Sequence, residues 1–423
     1  MDTHWVTILL ILIALPFLTF VIGALVQNQW RRSIKSKVES YRPSATNYWK
    51  ELNRPVLCVI NPFGGAKLGR FIYEEKSGIQ HEAVYTLHAQ HPKQLAEEIN
   101  IYQYGAQIII HSWINGLANR KTKGSPEEIL KEVLHKVPVS FVPGGSSNGV
   151  CASFGIDEIY EAIKNFIEGT PKPLDVMEVK TYEWEEGELG GPRERVFDIH
   201  ALSYGITTDF DVLTEGPLRF LGPTIKNFLA PILVVLSGKR YDGSVLLRPV
   251  DVPHEDIASG ELKDGDPKLK RKGICTDPNK FEKVKAPACA ERKEGDWYKI
   301  PKSKIALFVT MNVGWGASGY CAAPGFKPDD GAVDMVIARN VGTVEMFRFL
   351  VGMETGTHAR LPHVEIVQVD EVVLETSKTE LITVSGEPLE RGVNRFVVKV
   401  HKGLGMAVYH RYADFRKNYP LCK

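Results

Sequence analysis

Residues 137–148 read Val-Pro-Val-Ser-Phe-Val-Pro-Gly-Gly-Ser-Ser-Asn, and few folds accommodate such a stretch. A β-branched, apolar run stops at Pro143 and opens into Gly144, Gly145, Ser146, Ser147 and Asn148, after which the small residues 149–152 can start a helix. Strand, glycine turn and helix start aim backbone N–H groups at one point, an arrangement suited to a phosphate. Glycine lets the main chain approach a ligand, and serine hydroxyls add donors. Taken singly, such turns are mostly ordinary loops. The weight comes from a second one upstream. Residues 55–60 (Pro-Val-Leu-Cys-Val-Ile) form a short buried strand, halted by Asn61-Pro62-Phe63-Gly64-Gly65-Ala66-Lys67 with Arg70 behind it. Further strands are expected at 81–86 and 107–110, with a helix at 92–101 that carries Leu95, Ala96 and Ile99 on one face. Strands alternating with helices imply a parallel sheet whose ligand edge lies at the strand C-termini.

After Pro171-Lys172-Pro173 the period changes to two. Residues 174–180 and 196–205 read as a hairpin opening an antiparallel sandwich. The expected fold is therefore an α/β, Rossmann-like domain of three layers over 55–170, its sheet mainly parallel, followed by a β-sandwich over 171–415. Residues 218–237 are strongly apolar but punctuated by Pro223 and Pro231, which suits helices over a pocket; plain core packing remains equally open. Residues 249–301 are dense in charge, Gly and Pro, and read as a disordered insertion with strands resuming at 305.

Residues 6–26 carry no charge, long enough for a helix that crosses a bilayer. Asp2 precedes them, while Trp30, Arg31, Arg32, Lys35 and Lys37 follow, so the expectation is a single-pass anchor (1–30) and a tether (31–54) with the bulk of the chain in the cytosol. A cleaved signal peptide and a buried core helix are the competing readings. With a net charge of +1 there is no electrostatic case for nucleic acid. Six scattered cysteines without a CxxC pair favour free thiols and offer no metal-ligand spacing.

Asn61-Pro62-Phe63-Gly64-Gly65, then Thr86 with His91 five residues on, then Pro143-Gly144-Gly145-Ser146-Ser147-Asn148, together resemble the diacylglycerol kinase catalytic domain family, and most of all its sphingosine kinase branch. Residues 322–325, 329–335 and 352–358 extend the likeness. The resemblance implies a nucleotide domain followed by a β-sandwich lipid domain, ATP and Mg²⁺ as cofactors, and a sphingoid-base lipid and a membrane as partners. It implies nucleotide contacts at Asn61, Pro62, Gly64, Gly65, Thr86, Ser112, Gly144, Gly145, Ser146, Asn148, Gly386 and Glu387, with Arg219 on a phosphate. Of the two carboxylates in 203–211, it assigns Asp209 to the sphingoid ammonium.

Two departures matter. The family places a Gly-Asp-Gly turn between a strand and a helix ending Asn-Gly-Leu, and only His111-Ser112-Trp113 separates Ile110 from Ile114-Asn115-Gly116-Leu117 here. The catalytic base is thus unassigned, with His111 a weak substitute, histidine being the side chain whose ordinary titration lies about neutrality. Val384-Ser385-Gly386-Glu387 stands where the family has Val-Asp-Gly-Glu, which weakens the case for Mg²⁺. Three readings stay open: a sphingosine kinase, a catalytically dead lipid-binding relative, and a relative of the NAD kinases.

Overall fold

The computed structural model describes residues 53–60, 80–88, 90–108, 111–145, 147–185, 188–218, 222–250 and 276–410, with isolated positions 29, 32 and 36. The expected anchor at 6–26 lies outside the described residues; among those described, no helix is long and apolar enough to cross a membrane.

The first half alternates as its pattern requires. Strands β1 (Val56–Ile60) and β2 (His81–Tyr85) precede α1 (His91–Glu98), β3 (Ala106–Ile108), α2 (His111–Ala118), α3 (Pro126–Lys136) and β4 (Val139–Ser140). β2, β1, β3 and β4 pair in parallel in that spatial order. Helix α3 shows why the chain turns helical where it does. Ser125 Oγ accepts from the Glu128 amide, the Glu128 carboxylate accepts from the Ser125 amide, and Pro126 opens the first turn. Its Ile129, Leu130, Val133 and Leu134 fall at helical spacing and are buried.

Helices α4 (Gly149–Ser153) and α5 (Ile159–Glu168) lead into β5 (Thr170–Tyr182), which starts the sandwich. The small hairpin β6 (Trp184–Glu185) and β7 (Glu188–Leu189) follows, then β8 (Glu194–Asp198) and β9 (Ala201–Gly205). The run at 196–205 is therefore two strands, not one. It breaks at Ile199-His200, so that β8 pairs with β5 while β9 crosses to β12 (Trp297–Met311) and β17 (Ile382–Val384). Between them come α6 (Ile206–Glu215), α7 (Gly222–Leu236), β10 (Tyr241–Pro249) and β11 (Glu282–Val284). The sandwich is completed by β13 (Trp315–Ala317), β14 (Tyr320–Cys321), β15 (Val333–Arg339), α8 (Thr343–Thr355), β16 (Val364–Thr376), β18 (Glu387–Pro388) and β19 (Arg395–Tyr409).

The expectation of a disordered insertion up to residue 301 is corrected by the second part of that stretch. β11 pairs with the start of β12, Trp297 is fully buried, and Cys289 and Ala290 pack with it. Residues 251–275 lie outside the described set.

The two halves are sewn together. β19 pairs antiparallel with β5 along most of its length and parallel with β4 at Ala407–Val139. One core holds Trp113, Leu117 and Leu130 of the first half against Val176, Phe197 and Trp315 of the second. Asn115 adds a polar clamp: its amide donates to Phe197 O (3.0 Å) and accepts from Phe197 N (2.7 Å), tying α2 to β8 as a strand partner would.

A buried ion network reinforces the same seam. Glu178 on β5 accepts from His401 Nε2 at 2.7 Å, from Arg195, and lies 3.2 Å from Lys180; Arg195 also reaches Glu127 at the start of α3. Burial alone would raise the Glu178 carboxyl, but hydrogen bonds from His401 and Arg195 and the charge of Lys180 outweigh it and hold it at about 2, against 4.5 ordinarily. A folded value below the unfolded one gives stability that is complete above about 4.5 and is lost as pH falls toward 2, worth about 3 kcal/mol. Melting temperature followed from pH 7 to pH 3 should fall less steeply in Glu178→Gln than in the wild type. Parallel acid limbs would remove this network from the stability of the seam.

Candidate active site

A cavity of about 580 Å³ opens between the glycine turn and the sandwich. It is lined by Gly145, Ser147, Asn148 and Gly149, by Asp198, His200, Asp211, Ser385 and Gly386, and by apolar groups including Phe210, Val234, Leu307, Leu350 and Met353. Its size falls in the usual range for small-molecule sites.

The glycine turn is held from within and from behind. Asn148 takes a left-handed conformation (φ 54°), and its Oδ1 accepts from the Gly145 amide at 2.9 Å. Behind it, Ser318 N donates to Ser147 O at 2.6 Å and Asn148 bridges Ala317, so the β13–β14 hairpin clamps the turn. Gly149 is required by this closeness. A Cβ there would lie 2.5 Å from Trp315 O, 2.6 Å from Gly316 O and 2.7 Å from His200 Nε2. Helix α4, expected from the small residues after the turn, is only five residues long.

Two carboxylates line the cavity. Asp198 is fully buried; its Oδ2 accepts from Ser385 Oγ at 2.6 Å and its Oδ1 from His200 N at 2.8 Å. His200 Nε2 in turn donates to Trp315 O at 3.0 Å. Asp211 accepts from Thr383 Oγ1 at 3.3 Å, and Gly386 comes so near that a Cβ on it would lie 3.9 Å from Asp211 Oδ2. The β17–β18 turn therefore touches both acids.

Asp209 is a different matter. It does not line the cavity; its carboxylate takes Lys239 Nζ at 3.0 Å and the Tyr241 hydroxyl, closing the base of the α6–α7 unit. Residues two apart on a helix point about 200° away from each other, so α6 turns Asp211 inward as it turns Asp209 outward. Asp209, the expected ammonium partner, is thus engaged here by Lys239 and Tyr241, while Asp211 is the one of the two carboxylates that lines the cavity.

Of the other expected contacts, Gly145, Asn148 and Gly386 share the cavity. Thr86 is buried at the end of β2, donating its amide to Ile60 O at 2.9 Å, and neither it, Gly144 nor the exposed Glu387 lines the cavity. Asn61, Pro62, Gly64, Gly65, Ser146 and Arg219 lie outside the described residues, as do the side chains of His111 and Ser112. Helix α2 begins at His111, so the segment that the family fills with a loop is helical here. Asp198 and His200 escaped the sequence reading. The available signal was an acid set inside an otherwise apolar strand run.

Carboxylate oxygens are the hard ligands that accompany Mg²⁺ on nucleotide phosphates; of the two here Asp198 is fully buried with both oxygens hydrogen-bonded, and Asp211 is the more exposed. Elsewhere among the described residues, Glu127, Glu178 and His401 have metal-ligand spacing, but Arg195 and Lys180 already neutralise them.

Comparison with known proteins gives the same two halves. Residues 55–179 match the diacylglycerol kinase catalytic domain, and residues 299–400 match the YegS C-terminal NAD kinase beta sandwich-like domain. The chain is 23% identical to sphingosine kinase 1 of Arabidopsis thaliana over 361 residues, covering 81% of this chain and 70% of that protein. It is 24% identical to human ceramide kinase over 330 residues, covering 71% and 58%. In fold it is similar to the crystal structure of a putative diacylglycerol kinase from Bacillus anthracis (TM-score 0.52, 15% identity, 84% of this chain and 97% of that one). The chain thus combines a diacylglycerol kinase catalytic domain with a YegS-type sandwich, and by resemblance it is a lipid kinase of the sphingosine, ceramide and diacylglycerol kinase group.

Proposed function

We propose that this chain transfers the γ-phosphoryl group of ATP to the primary hydroxyl of a sphingoid base, giving sphingosine 1-phosphate. The observation that carries the reading is the cavity itself: a glycine turn, two carboxylates and a set of apolar side chains line one space. The turn, clamped by Ser318 and Ala317, presents backbone donors on the nucleotide side. Asp211 faces the lipid head, where a carboxylate favours an ammonium over the hydroxyl or amide of a neutral lipid. Val234, Leu307 and Met353 take the start of the alkyl chain. Mg²⁺ arriving with ATP would neutralise phosphate charge. Catalysis of this kind is mainly positioning and charge neutralisation.

The reading extends to location. Residues 6–26 would anchor the chain, keeping both domains on the cytosolic face of a membrane that supplies the lipid. A second reading, a lipid-binding relative without transferase activity, is favoured by one observation: α2 starts at His111, leaving no room for the family's Gly-Asp-Gly loop.

The two are separated by labelled ATP offered with sphingosine, ceramide or diacylglycerol. Label should enter sphingosine about tenfold faster than either neutral lipid. Equal rates for all three would remove the sphingoid assignment, and no transfer with sphingosine still bound would favour the second reading.

A further inference from the structure

Strand β9 carries a hydroxyl where its surroundings call for an apolar residue. Side chains alternate between the two faces of a strand. Leu202 and Tyr204 enter the sandwich core and are fully buried, so Ala201 and Ser203 turn the other way and line the cavity. On the neighbouring β12, Leu307, Val309 and Met311 line it too, with Val309 directly across from Ser203. The part of the β9–β12 face that lines the cavity is thus apolar except at Ser203. The Ser203 carbonyl is occupied, accepting from Thr208 Oγ1 at 3.0 Å. Its half-buried hydroxyl makes no hydrogen bond among the described residues. Among apolar side chains such a group is a cost unless something in the cavity meets it.

On its other edge β9 pairs with β17, and there Thr383 stands directly across from Ser203. Residues paired in this way share a face, with Cβ atoms about 5 Å apart. Thr383 Oγ1 donates to Asp211 at 3.3 Å, so this one threonine has the Asp211 carboxylate and the Ser203 hydroxyl as neighbours. Across the strands the order is carboxylate, threonine, serine, valine: from charge, through a hydroxyl, to apolar surface. A sphingoid base presents the same order, with an ammonium on one carbon, a hydroxyl on the next and the alkyl chain beyond.

We propose that Ser203 is a specificity-determining residue, its hydroxyl pairing with the lipid hydroxyl on the carbon next to the ammonium. This rests on the sphingoid-base reading above and deepens it: Asp211 selects the charge, and Ser203 selects the hydroxyl beside it. An amino-alcohol lipid without that hydroxyl leaves Ser203 unmet and is held more weakly. No bond is made or broken at Ser203, since the phosphoryl acceptor is the primary hydroxyl.

The test is a cycle of two proteins and two lipids. Sphinganine, the saturated sphingoid base, and its 3-deoxy analogue share the ammonium, the primary hydroxyl and the chain, and differ only in the hydroxyl at issue. Wild type and Ser203→Ala, both as full chains, are titrated with each lipid in mixed micelles and then assayed for phosphoryl transfer. Wild type should bind sphinganine about fivefold more tightly than the deoxy lipid, and Ser203→Ala should bind the two within about twofold of each other. The alanine variant should hold the deoxy lipid at least as tightly as wild type does. Its melting temperature should stay within about 2 °C of wild type, because the hydroxyl ties nothing in the fold together. A preference for sphinganine that survives Ser203→Ala overturns the proposal, and so does a wild type indifferent to the hydroxyl. Lipid binding without phosphoryl transfer in the wild type defeats the kinase reading alone, since the affinities still decide Ser203; binding of neither lipid defeats both.

Discussion

Asp211→Asn should lower kcat/KM for sphingosine about tenfold and change that for diacylglycerol less than about threefold. The asymmetry follows from what the residue faces. Asp211 lines the cavity beside Gly386 and Thr383; on the proposed reading the lipid head meets the phosphate donor there, and a carboxylate charge favours a cationic head. Asparagine keeps the size and an acceptor for the Thr383 hydroxyl, so a neutral lipid loses little. Asp209→Asn is the matched comparison. It weakens the clasp with Lys239 and Tyr241 outside the cavity, so it should lower melting temperature without changing the ratio of sphingosine to diacylglycerol rates. Should the ratio follow position 209 and ignore 211, the cavity has been read from the wrong face of α6.

Gly149→Ala should cost about 1–3 kcal/mol of stability and, with it, most nucleotide affinity. The new Cβ would meet two carbonyl oxygens and an imidazole nitrogen at 2.5–2.7 Å, and the imidazole is itself bonded to one of those carbonyls. None of the three is the free end of a flexible chain, so the turn must lift away from β13. That movement would pull apart the Ser318–Ser147 hydrogen bond and the Asn148–Ala317 bridge that shape the cradle. Gly144 provides a stability control, because a Cβ there has nothing within 4 Å. Thermal melts of both variants check the first claim, and ADP affinity of Gly149→Ala checks the second. A normal melt for Gly149→Ala would mean that the clamp is looser than drawn.

Local pattern carried the reading a long way in the first half. Strand-then-glycine signals at 55–65 and 137–148 located β1 and β4 and the turn that walls the cavity, because backbone conformation there is dictated by Gly, Pro and β-branched residues close in sequence. Facing direction was beyond it. Asp209 and Asp211 are equivalent as letters, and only the rotation of α6 against β9 decides which one sees the cavity. Asp198 was invisible for a related reason: its partner Ser385 is 187 residues away, joined to it through the pairing of β9 with β17. The folded stretch after residue 276 was missed because β12 opens with Lys299, Lys302 and Lys304 between its buried positions, and charge of that density looks like solvent-exposed chain until β10 and β11 cover it.

The most direct measurement is a single-turnover reaction of the full chain with γ-labelled ATP, Mg²⁺ and sphingosine in vesicles, followed by separation of the lipids. The expected result is label in a product that migrates with sphingosine 1-phosphate, in an amount that tracks the protein added. Label left in ATP at every protein concentration, with sphingosine bound all the while, would contradict it.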